Sequence, residues 1–176
     1  NYELYYYNLK TGKHGDMGEC IEVADYNENE ILYSVSNGDT CDIYKAKPGS
    51  EGTKIVSDVA SDWTGNLDAG VISYTKKIDS SVYVNINGKE QDMKMTSVRM
   101  DCSKDGKTVM IVDQSDEDSN ELIAYKKKGD SLEKIGTVEK DYTTGSWYGN
   151  DYYYFDDNND FYTYSNGKSK KIAKDV

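Results

Sequence analysis

Tyr152-Tyr153-Tyr154-Phe155 is followed by five acidic or amide residues, Asp156 to Asp160. Then come Phe161-Tyr162-Thr163-Tyr164-Ser165, Asn166-Gly167 and Lys171-Ile172-Ala173. Asn-Gly between two alternating runs is a strong signal for a tight hairpin, because both central residues of a type I′ turn need positive φ. Upstream, a run around Asp141 to Ser146 ends at the turn Gly149-Asn150. The stretch therefore reads as four short antiparallel strands in order, here called A to D.

The same unit recurs along the chain. Glycine-centred turns fall at Gly12, Gly49, Gly88, Gly129 and Gly167, with spacings of 37, 39, 41 and 38 residues. C-type strands precede them at Leu4-Tyr5-Tyr6-Tyr7, Ile43-Tyr44-Lys45-Ala46, Val82-Tyr83-Val84 and Leu122-Ile123-Ala124-Tyr125. D-type strands follow at Lys54-Ile55-Val56-Ser57-Asp58-Val59 and Lys134-Ile135-Gly136-Thr137-Val138, and Lys171-Ile172-Ala173-Lys174-Asp175-Val176 repeats the first of these closely. A period of about 40 residues built from short strands marks a propeller blade, a sheet that buries its faces only against its neighbours. The expectation is an all-β domain over residues 1–176, a fragment of a larger ring in a longer chain: a β-propeller or partial propeller of four complete four-stranded blades plus an extra N-terminal strand or hairpin. The units run approximately over 1–19 (partial), 20–58, 59–95, 96–138 and 139–176.

Composition bounds the partners. The net charge is −11, with a single arginine, Arg99, and 20 lysines scattered among 32 acids. That excludes a phosphate-backbone interface, which needs clustered cations, and it disfavours anionic membranes. No apolar run is long enough to span a bilayer as a helix. Leu, Ile, Val and Phe make up under a fifth of the chain, and 17 tyrosines take their place. Tyrosine buries a large ring while its hydroxyl stays wet or bonded, which suits thin, half-exposed sheets.

No catalytic fingerprint is present: nucleophile-elbow, phosphate-loop and dinucleotide patterns are absent. The only histidine, His14, lies among glycine and aspartate and reads as a solvated residue. Cys20, Cys41 and Cys102 have no metal-ligand spacing. In one blade Cys20 and Cys41 would open the first and third strands, roughly 10 Å apart by strand spacing and too far to bridge. Carboxylates cluster in two B–C loops, at Asp113, Asp116, Glu117 and Asp118, and at Asp156, Asp157 and Asp160. Asp113, Asp116, Asp118 and Asn120 are a candidate oxygen set for Ca²⁺; the alternative is a solvated acidic loop, as for the second cluster. Trp63, Trp147 and Tyr148, beside the turns Gly65-Asn66 and Gly149-Asn150, are candidate ligand-binding aromatics at the mouth of a central channel, the alternative being that the two tryptophans plug it.

Ser103-Lys104-Asp105-Gly106-Lys107-Thr108-Val109, a Ser-x-Asp-Gly-Lys turn leading into a hydrophobic strand, resembles the blade motif of TolB-like and WD-repeat-like propellers. The Tyr-x-Tyr runs and the Lys-Ile-Ala-x-Asp-Val ending are similar to propeller domains of bacterial surface-anchored proteins. The resemblance extends over nearly the whole chain and implies architecture, without catalytic residues or cofactor. The functional expectation is a non-catalytic binding or scaffolding domain, cell-surface or extracytoplasmic, for a protein or glycan. The alternatives are a glycan- or peptide-acting enzyme domain using loop acids, and a Ca²⁺-stabilised adhesion module. Residues 1–19 hold a C-type strand without A and B partners. They are expected to pair with an edge of another unit, or to dock on a second copy or an upstream segment.

Overall fold

The computed structural model describes residues 1–95, 98–116 and 119–176. Its described elements are all strands. β1 (Tyr2–Tyr7) and β2 (His14–Cys20) form a two-stranded sheet. Next come β3 (Glu22–Tyr26), β4 (Ile31–Asn37), β5 (Thr40–Ala46), β6 (Thr53–Asn66), β7 (Val71–Lys76), β8 (Val82–Ile86) and β9 (Lys89–Asp92), hydrogen-bonded in that order. β10 (Val98–Cys102), β11 (Thr108–Asp116), β12 (Ser119–Lys128) and β13 (Ser131–Glu139) make a four-stranded sheet. β14 (Tyr142–Tyr148), β15 (Asp151–Asp156), β16 (Phe161–Ser165) and β17 (Lys168–Ala173) make another. Every pairing is antiparallel between neighbours in sequence, for example β1 with β2 and β15 with β16.

One detail departs from the expected units. The D strand of the first and the A strand of the second are a single element, β6, so seven strands share one ladder. No glycine or proline lies between Thr53 and Trp63 to stop the strand. The chain turns within it instead, with φ 59° at Asp58 and a register break between Val59 and Trp63. β6 therefore serves two consecutive four-stranded sheets, β3–β6 and β6–β9.

The period-two pattern feeds a different core on each face. On β11, Val109 and Ile111 join the core against the second sheet, while Met110 and Val112 join the core against the fourth. On β4, Leu32 faces the second sheet, and Ile31 and Tyr33 face the hairpin. Both faces of the middle sheets are thus buried, as in any strand sandwiched between layers. Each such side chain taken out of water contributes about 1.5–3 kcal/mol relative to exposure. Inner strands meet inner strands, β3 with β6, β6 with β10 and β10 with β14, while β9 meets β13 outside. This is the radial arrangement of propeller blades.

Two turn motifs explain their residues. At Asn87-Gly88 and Asn166-Gly167 all four residues have positive φ, between 52° and 89°. In the Ser103–Lys107 turn, Asp105 accepts from the Ser103 hydroxyl and from the Lys107 N–H. Gly106, at φ 65°, lies against the neighbouring turn so closely that a Cβ would stand 2.8 Å from the Ala69 Cα.

The repeated Lys-Ile-x-x-Asp-Val ending has a structural cause. Asp42, at the start of a C strand, accepts from the Lys54 ammonium at 2.6 Å and from the Asp58 N–H at 3.3 Å. Asp160 does the same with Lys171 and with the Asp175 N–H. Asp58 and Asp175 both sit at positive φ. Each C-strand carboxylate therefore clamps the lysine of its D strand and the backbone kink four residues later. Asp42 and Asp160 are 5% and 4% exposed, and Asp156, buried beside Asp160, accepts from the Asp160 N–H and the Tyr162 hydroxyl. The reading of the 156–160 cluster as a solvated loop is corrected: two of its three acids are built into the sheet.

Residues 1–19 form the extra N-terminal hairpin that was expected, and what differs is the expected pairing with an edge of another unit. β1 finds its ladder partner within the N-terminal segment, in β2, and pairs with no edge of another unit. The hairpin lies face-on over the first sheet, where Leu4 and Met17 pack with Cys20, Ile31, Tyr33 and Ala46. Cys20 consequently ends β2 instead of opening a blade. It belongs to the hairpin core and Cys41 to the core on the other side of the first sheet. All three thiols are free and buried.

Candidate functional site

The tryptophans sit on A strands, Trp63 opposite Tyr74 and Trp147 opposite Tyr152. They do not come together. Trp63 packs on the core between the first two sheets and Trp147 on the core between the last two. Trp147 meets Tyr152 edge-on at 5.1 Å, a favourable aromatic geometry. Tyr148 is 82% exposed. Among the described residues the Trp147 Nε1 and the Tyr164 hydroxyl are buried without a hydrogen-bond partner, on the two strands that flank Tyr152. Tyr152 itself shares a 3.0 Å hydroxyl contact with Tyr142.

Asp101, on β10, lies close to the same row. Burial pushes its carboxyl above the usual range, against the Cys102 N–H, Arg99 and the Trp147 N–H, which favour the charged form. Glycosidase chemistry needs a second carboxyl facing the first, and the groups acting on Asp101 are a guanidinium and amides. Next to it, burial pushes the Cys102 thiol up to about 12, which makes it inert as a nucleophile at neutral pH.

The first acidic cluster is only partly within the described residues. Asp118 and Glu117 lie outside them. Asp113 stands on β11 opposite Val98 and Glu121, and the chain of Asp116 opposes Ser119. The Asn120 side-chain Oδ1 accepts from the Gln114 Nε2 at 3.2 Å. Among the described residues no three His, Cys, Asp or Glu side chains converge as a metal set. His14 is exposed and stacks on Tyr7 at 5.9 Å.

The hairpin creates a concavity that sequence reasoning missed. Its core draws on β4 and β5 and on no residue of β3. Val23 and Tyr26 on β3 therefore stay 38% and 75% exposed. They form the floor of a groove of about 780 Å3 whose wall is the run Leu4 to Lys10 and whose end is Ile31 and Pro48. The lining is mostly apolar and aromatic, with Lys10 and Glu28 its only amine and carboxylate. The sequence signal was the isolated C-type strand itself: a blade of two strands must leave part of its neighbour uncovered.

No protein-family model matches the chain, and no curated protein sequence does. Solved structures do. The crystal structure of TolB from Acinetobacter baumannii superimposes with a TM-score of 0.56 at 15% identity, over 97% of this chain and 48% of that one. A protein from Lactobacillus plantarum gives 0.53 at 9% identity, over 94% of this chain and 60% of that one. The nidogen/laminin complex gives 0.47 at 11% identity, over 97% and 90%. This chain thus spans about half the length of TolB. The TolB likeness, with the antiparallel four-stranded sheets, establishes a β-propeller-type fold.

Proposed function

We propose that this chain is a non-catalytic binding domain, a scaffolding propeller segment displayed outside a bacterial cell. The observation that carries this reading is the groove beside β1. It is concave, apolar and aromatic, the character of a binding site, and its single carboxylate, Glu28, has no second acid in the lining to work with. The resemblance of the Tyr-x-Tyr and Lys-Ile-Ala-x-Asp-Val repeats to surface-anchored propellers supports the location. The ligand is a protein or a glycan.

The test has two arms. Purified protein is screened for turnover on glycan and peptide panels, and the same panels are read for binding by surface plasmon resonance. Saturable binding without turnover is expected, and it should weaken at least tenfold in Tyr26→Ala. Turnover abolished by Asp101→Asn would overturn the reading in favour of an enzyme.

A further inference from the structure

We infer that the groove takes an extended, lysine- or arginine-bearing segment of another polypeptide, which adds as a strand to the free edge of β1 and lies over β3. The inference rests on the binding-domain reading and names its partner.

The backbone of β1 supplies the first argument. The Asn8 N–H donates to the Lys13 carbonyl at 2.7 Å, and the Asn8 carbonyl accepts from the Gly12 N–H at 2.8 Å. Tyr6 and Tyr7 continue this ladder opposite Gly15 and His14. Antiparallel ladders alternate, so residues two apart bond to the same side. Asn8 bonds to the turn before β2 and Tyr6 therefore bonds to β2, so Tyr5 and Tyr7 direct their N–H and carbonyl groups away from it, on a strand whose residues line the groove. Among the described residues β1 has β2 as its one ladder partner, and outward donors and acceptors at Tyr5 and Tyr7 beside an apolar floor are the geometry of strand addition.

The floor supplies the second. A strand placed one ladder spacing, about 4.8 Å, from β1 comes to lie over Val23 and Tyr26. Alternate side chains of that strand would cover these two residues and the others would face water. The new layer would be continuous with the hairpin core, since Leu4 and Ile31 belong to both. Elsewhere each inner strand is covered by the next, β3 by β6, β6 by β10 and β10 by β14. The hairpin-side face of β3 is the place where that series lacks its member.

Charge selects the partner. Residues 1–31 hold seven carboxylates against two lysines, and the whole chain carries −11. Glu28, on the groove, has no ion-pair partner among the described residues. A second copy would bring the same negative charge, whereas a cationic segment is attracted and steered.

The probe is a fluorescein-labelled eight-residue peptide of alternating valine and lysine, read by fluorescence anisotropy against the intact chain. Three controls share its composition or pattern: the same peptide N-methylated at alternate residues, a scrambled peptide with the lysines in one block, and glutamate in place of lysine. Saturable binding is expected, weakened at least tenfold by N-methylation, by scrambling and by glutamate, and weakened similarly in Tyr26→Ala. Equal binding of the N-methylated or scrambled peptide overturns strand addition and leaves a charge effect only. Concentration-dependent dimerisation that protects the Tyr5 and Tyr7 amides from hydrogen exchange overturns it in favour of a second copy. A glycan or other protein bound saturably while the cationic peptide is not would sink this inference and leave the binding-domain reading standing.

Discussion

The two ends of the stack finish in opposite ways. At the N-terminal end, β1 presents an edge of Tyr2-Glu3-Leu4-Tyr5-Tyr6-Tyr7, with one charge in six residues and a groove beside it. At the C-terminal end, β17 is Lys168-Ser169-Lys170-Lys171-Ile172-Ala173, with three lysines in six. Exposed edges invite pairing with other chains, and lysine on the edge is a common way to refuse it. The faces differ in the same sense. The outer face of the last sheet carries Tyr153, Phe155 and Phe161, half-buried against one another, with Phe155 and Phe161 stacked at 4.8 Å. The hairpin instead leaves Tyr5, Tyr7 and Tyr26 more than half exposed. One end carries charge and self-stacked rings, and the other leaves its tyrosines exposed.

The largest expected effect breaks the comparison at its energetic root. Tyr154 is 1% exposed and stacks on Tyr162 at 5.0 Å, inside the core between the last two sheets. Tyr154→Ala should cost about 3–5 kcal/mol, as for other buried aromatics. Leu4→Ala, on the half-buried inner face of the hairpin, should cost about 1–2 kcal/mol, since less of the side chain leaves water. Urea unfolding of both variants measures the difference. Equal losses would mean that the hairpin is as firmly built as the last blade.

Next in size is the clamp that the C-terminal sheet has and the hairpin lacks. Lys171, then the Asp175 N–H, hold the Asp160 carboxyl below its usual range against the opposing effect of burial. Burial raises the Asp42 carboxyl, but Lys54, the Asp58 N–H and Asn37 outweigh it and leave it lowered. A depressed folded value means that the native state binds fewer protons than the unfolded chain. The stabilisation is therefore present above the ordinary aspartate value of about 3.9 and is lost as pH falls through the depressed values. Asp160→Asn should lower Tm at pH 7 and flatten the Tm decline below pH 4. A variant with the wild-type acid limb would show that the clamp contributes nothing.

The repeat made the sheet order legible, because a two-residue period and positive-φ turns act locally: Gly12, Gly49, Gly88, Gly129 and Gly167 all have the φ their turns demand. The continuity of β6 was not legible, because a bend at a non-glycine residue, Asp58, leaves no composition signal. Nor was the burial of Asp156 and Asp160, since their partners Tyr162, Lys171 and Asp175 lie on the next strands or beyond. Trp63 and Trp147 stood out by rarity and position, yet each is spent on a separate core. The groove depends on what the hairpin leaves uncovered, a three-dimensional remainder that no local pattern states.

A smaller effect sharpens the contrast at the exposed end. Tyr26 is 75% exposed, so Tyr26→Ala should leave unfolding free energy within about 0.5 kcal/mol of wild type. Its loss should appear in binding instead. A clear stability loss, read by urea unfolding, would make Tyr26 a packing residue and remove the groove floor from the functional argument.

The smallest effect on stability tests the charged end. Lys168 and Lys170 oppose Ser165 and Thr163 on the neighbouring strand, and Lys170 is exposed. Lys171 is committed to Asp160 and lies over the Tyr162 ring at 5.2 Å, so the other two lysines are the charges of this edge without an ion pair among the described residues. Replacing both by threonine keeps strand propensity and removes no buried contact, so Tm should move little. What should change is association. A bare β17 edge beside the aromatic row Tyr153, Phe155 and Phe161 resembles β1, and sedimentation velocity should then show self-association at concentrations where the wild type is monomeric. If the double variant stays monomeric, the edge is refused by its twist or its short length, and charge is not what separates the two ends.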